Sequence, residues 1–78
     1  MTLPYTETVW TLVLHPDALI ATVVTVQYKG TLRIIDVHRD IVLFEQPVGY
    51  VYQPFGPDKK DKERWRTTVV SWVERHGY

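Results

Sequence analysis

Residues 57–78 place the strongest constraint on what this chain can fold into, because they carry a helical repeat of apolar residues with a start and a stop signal in the right places. At about 100° per residue, Trp65, Val69, Trp72, Val73 and His76 fall within one arc, while Glu63 and Glu74 lie on the other side. Asp58 is an N-cap by type, with Asp61 where a capping box usually holds Glu. Gly77 is a candidate C-terminal stop, and Arg75 and His76 suit the negative end of the helix dipole. The segment therefore predicts one amphipathic C-terminal helix. A helix with one apolar face must bury it, so the rest of the chain has to supply a covering layer.

The remaining residues read as strands. Residues 6–14 alternate, with Thr8, Trp10, Leu12 and Leu14 on one face and Val9, Thr11 and Val13 on the other. His15-Pro16-Asp17 breaks the pattern, since proline lacks a ladder donor and restrains the residue before it. Residues 20–29 are the richest β segment, with Ile20, Thr22, Val24, Val26 and Tyr28 on one face and Ala21, Val23, Thr25 and Gln27 on the other. A helix over residues 16–24 is the competing reading, and the β-branched content ranks it second.

Turn signals then recur about every ten residues. Lys29-Gly30 marks a tight hairpin, with Gly30 supplying a positive φ. Residues 31–37 are a third strand and His38-Arg39-Asp40 a polar turn. Residues 41–46 form a fourth strand, Pro47-Val48-Gly49 another turn, and residues 50–53 a fifth strand. Residues 54–57 leave the sheet. The expected fold is α+β: a four- or five-stranded antiparallel meander with the helix across one face. A small SH3-like barrel with a C-terminal helix is the alternative.

The chain is 78 residues long and has no cysteine, which predicts a single domain without disulfides or thiolate metal sites. A core of this size contributes only about 3–5 kcal/mol, so a partner or a second copy of the chain is expected to add to the folded side. The first residues lack the basic start of a signal peptide and the apolar runs are too short to span a bilayer, so a cytoplasmic protein with no membrane contact is expected. Formal net charge is zero, yet residues 1–56 hold three bases and five acids, and residues 57–78 hold six bases and four acids. That asymmetry is milder than a dedicated DNA-binding domain carries.

Few residues point to chemistry. Asp36, His38 and Asp40 could share one face as metal ligands, but a hairpin turn explains the same residues with local hydrogen bonds. The single serine, Ser71, lies in the helix, and no nucleotide or nucleophile motif occurs. Gly49-Tyr50-Val51-Tyr52 shares its aromatic spacing with the main strand of an RNA-recognition motif, but Val48 stands where that strand has a base, Pro54 cuts the strand short, and one of the two required helices is missing. No enzyme, cofactor or metal site is expected.

Two surfaces remain. A sheet covered on one side by one helix leaves its other face bare, and aromatics there mark an interaction surface. Tyr28, Tyr50 and Tyr52 are the candidates. The second surface is the basic helix flank at Lys59, Lys62 and Arg66, where bases can meet phosphates or simply cover the rim of the buried face. The leading expectation is a non-enzymatic protein-interaction module, a regulator or inhibitor of a larger complex of the kind phages encode. The alternative is nucleic-acid binding through the helix flank.

Overall fold

The computed structural model describes residues 6–14, 18–51 and 56–78. Four strands, β1 (Thr6–Leu14), β2 (Leu19–Val26), β3 (Lys29–Asp36) and β4 (Ile41–Tyr50), precede one helix, α1 (Lys59–Arg75). The strands form an antiparallel meander in the order β1-β2-β3-β4, with β1 and β4 as edges. The fold is α+β, with the helix over one face, and the sheet does not close into a barrel. Residues 19–24 are strand, which removes the helical alternative for the part of 16–24 that is described.

The core lies between the sheet and α1. Leu19, Ala21 and Val23 of β2, and Leu32 and Ile34 of β3, meet Trp65, Val69, Trp72 and Val73 of α1, with Val51 closing one end. Period two in the strands and period 3.6 in the helix put these residues on facing surfaces. Trp65 meets Trp10 of β1 edge-on with ring centroids 5.8 Å apart, and Trp72 meets Phe44 of β4 at 6.1 Å. The helix is thereby tied to both edge strands. The helix is shorter than residues 57–78 because its caps act where their types require. Asp58 accepts from the Asp61 N–H, the Asp61 carboxylate accepts from the Asp58 N–H, and Gly77 turns the chain at φ +72.

Four local expectations are corrected. The β2–β3 turn is not at Lys29-Gly30. Val26 pairs with Lys29, and the loop is Gln27-Tyr28, with φ 51 and 66. Positive φ at both loop residues matches the twist of a two-residue hairpin, even without glycine. The Val51 N–H donates to the Tyr28 carbonyl at 2.7 Å and helps hold that loop. Gly30 lies inside β3, where a Cβ would sit 2.7 Å from Val48 Cγ2 and 3.1 Å from Val51 Cγ2. Close approach of β4, rather than backbone freedom, demands glycine there.

Pro47-Val48-Gly49 is not a turn, and Tyr50 does not begin a separate strand. β4 runs through all four residues and carries two register irregularities against β3, at Leu43 and at Val48. An edge strand tolerates a residue without an N–H, and bulges absorb the misfit. In β1 the register shifts between Thr8 and Trp10, so Thr8 pairs with Val24 while Trp10 pairs with Val23. Thr8 therefore lies on the face opposite Trp10, Leu12 and Leu14. The Thr22 hydroxyl donates to the Trp10 carbonyl at 3.1 Å beside this bulge.

Candidate functional site

The molecule measures 39 × 31 × 18 Å, the thickness of one sheet and one helix. Only one sheet face has a helix on it. Cross-strand register orders the other face into rows. The first row is Val13, Ile20, Ile35 and Val42, one residue from each strand. All four are β-branched and aliphatic. Val13 is 60% exposed and Val42 51%, while the two central isoleucines are half-buried by their neighbours.

The second row is Thr11, Thr22, Arg33 and Glu45. Arg33 Nε donates to Glu45 Oε2 at 2.7 Å, so the row's two charges cancel within the chain. The third is Thr8, Val24, Thr31 and Pro47, and the fourth Thr6, Val26, Lys29 and Tyr50. The face is thus apolar at one end, internally neutralised in the middle, and at the far end carries an aromatic, Tyr50, and a lysine, Lys29, that has no ion pair among the described residues.

Tyr50 is 65% exposed at that end. Tyr28, in the β2–β3 loop, packs against it with ring centroids 5.8 Å apart. The structure thus brings two of the three candidate tyrosines together, and Tyr52 lies outside the described residues. Tyr28 belongs to a loop rather than to the β2 face, because the hairpin turns earlier than its sequence suggests.

Lys59, Lys62 and Arg66 are exposed on α1, in the other layer, and do not join the tyrosines. They line a shallow groove with Glu63, Trp10 and Leu12, between the first half of the helix and β1. The groove mixes bases with a carboxylate, and its tryptophan is already engaged with Trp65.

The turn expected at His38-Arg39-Asp40 is present but begins one residue earlier, at Val37, because β3 ends at Asp36. Asp36 is buried at its base, and its carboxylate accepts from the Arg39 backbone N–H at 3.0 Å and from Arg39 Nε at 2.8 Å. The backbone donor first, and the guanidinium second, hold the Asp36 carboxyl below its ordinary value of 3.8. His38 and Asp40 are exposed, whereas Asp36 is buried. Among the described residues, no group of three or more His, Asp or Glu side chains could hold a metal ion. His76 is taken up at the end of α1, stacked on Trp72 at 4.2 Å with Nδ1 2.8 Å from the Trp72 carbonyl. Among the described residues no helix is long and apolar enough to cross a membrane.

The aliphatic row is the feature that sequence reasoning missed. Alternation placed Ile20 and Val13 on strand faces, but only the register between strands joins them to Ile35 and Val42. No protein-family model, no curated protein and no solved structure matches this chain.

Proposed function

We propose that this chain is a non-enzymatic binding module that acts by protein–protein contact through the uncovered sheet face. The observation that carries this reading is the row Val13, Ile20, Ile35 and Val42, aliphatic across the whole sheet and exposed at both ends. Contiguous apolar patches beyond a few hundred Å² are uncommon on free monomers and mark interaction sites. Tyr28 and Tyr50 extend the surface at its other end, where a rigid aromatic can anchor a contact. A module of this kind regulates or inhibits by occupying part of a larger assembly. The alternative keeps the basic groove at Lys59, Lys62 and Arg66 as a nucleic-acid site, supported by the convergence of three bases beside Trp10.

Photo-crosslinking separates the two. A photoreactive amino acid replaces Val42 in one variant and Lys62 in another. Discrete protein adducts from position 42 that excess unlabelled chain competes away, with none from position 62, are expected. Salt-sensitive oligonucleotide binding that is lost on Lys59→Glu, Lys62→Glu and Arg66→Glu together, with no protein adduct at position 42, reverses the assignment.

A further inference from the structure

We infer that the occupant of the uncovered face is a second copy of this chain, packed face to face about a two-fold axis that runs along the strands between β2 and β3. This inference rests on the protein-contact reading above and names its partner. The first observation is symmetry. Read across the sheet, the aliphatic row is a palindrome, Val13-Ile20-Ile35-Val42. A two-fold axis along the strands reverses their order and keeps each row at its own height. Val13 then lies over Val42 of the partner subunit, and Ile20 over Ile35 of the partner subunit. Self-complementarity of one patch is the requirement for an isologous dimer.

Charge placement agrees. Under the same axis Arg33 lies over Thr22 of the partner subunit, Glu45 over Thr11 of the partner subunit, and Lys29 over Val26 of the partner subunit. No like charges meet, and Arg33 and Glu45 remain paired within each chain.

Area sets the strength. Four strands, spaced about 4.8 Å apart, with eight residues at about 3.3 Å each, present about 500 Å². Two such faces bury about 1,000 Å², the lower end of specific interfaces. The dimer is therefore reversible at working concentrations. Its layers run helix, sheet, sheet, helix, with the sheets about 10 Å apart. Pairing through strand edges is the less suitable route, because β4 carries Pro47 and two register shifts and β1 carries one.

The test is sedimentation equilibrium over a wide concentration range, on wild type, Val13→Asp, Val42→Lys and an equal mixture of the two variants. Val13 and Val42 are exposed, so circular dichroism melts should show both variants folded. Wild type is expected to dimerise reversibly, and each variant to weaken the dimer by roughly tenfold or more. The mixture should associate more tightly than either variant alone, because Asp at position 13 of one chain then faces Lys at position 42 of the other. A wild type that stays monomeric throughout overturns the inference, as does a dimer indifferent to Val13→Asp. A mixture no tighter than its components overturns the two-fold axis. A monomer whose position-42 probe still captures another protein refutes the dimer while leaving the protein-contact reading in place. A monomer with no protein adducts removes both.

Discussion

The Trp65 ring meets the Trp10 ring edge-on at a centroid distance of 5.8 Å, joining the first half of α1 to the edge strand β1. Trp65 is 1% exposed, and its indole N–H has no hydrogen-bond acceptor among the described residues. An edge-to-face pair contributes about 0.5–1.5 kcal/mol beyond burial, whereas a buried donor left unpaired costs about 1–3 kcal/mol. Trp65→Ala should therefore destabilise by about 3–5 kcal/mol in urea melts, while Trp65→Phe, which keeps a ring and removes the orphan donor, should cost less than half as much. A phenylalanine variant as unstable as the alanine variant would show that the N–H is satisfied.

Gly30 and Val48 define a second close approach. A Cβ on Gly30 would lie 2.7 Å from Val48 Cγ2, a stiff β-branched methyl already packed against the core. Gly30→Ala should cost about 1–3 kcal/mol as overpacking. Gly30→Ala combined with Val48→Ala should recover part of that loss, which a double-mutant cycle measures.

Acid stability should report on Asp36. Its folded pKa lies below the unfolded value, so its contribution is fully present above the unfolded pKa and is lost as pH falls through the folded pKa. Asp36→Asn removes the charge held by Arg39. The Tm difference between wild type and Asp36→Asn should be constant from about pH 7 to pH 5 and shrink as the pH drops below about 4. A difference that persists unchanged at pH 2 would mean the ionised carboxylate is not what stabilises the turn.

The basic flank should be separable from the fold. Lys62 gives its backbone N–H to the Asp58 carbonyl at 3.1 Å, but its side chain is exposed and forms no ion pair among the described residues, so Lys62→Glu should change stability by less than about 0.5 kcal/mol. A larger loss would assign the groove beside Trp10 a structural role.

How much of this was legible in the sequence depends on the range of the physics. Asp58, Asp61 and the Trp65, Val69, Trp72, Val73 arc act within one helix, and local spacing alone revealed the element, its caps and its buried face. Alternation and turn spacing predicted an antiparallel meander of four or five strands, and the sheet has four. The errors arose where one strand answers to another. Gly30 is glycine because of Val48 and Val51, which lie in or beyond a different strand. Pro47 fits because β4 is an edge, which residues 41–50 do not declare by themselves. Thr8 changes face because β1 bulges against β2. The same holds for the surface. Tyr28 and Tyr50 were singled out by type, whereas the Val13, Ile20, Ile35 and Val42 row exists only once three strand registers are fixed.

The most direct test of an interaction role for the uncovered face is methyl NMR with a soluble paramagnetic probe, recorded from dilute to concentrated protein. In dilute samples the Val13 and Val42 methyls should be broadened strongly and the Ile20 and Ile35 methyls partly, while those of Val23 and Val69 in the core stay sharp. With rising concentration the four outer residues should become shielded together. Outer methyls that are already shielded in a dilute monomer, or that stay fully exposed in the most concentrated samples, would contradict the account.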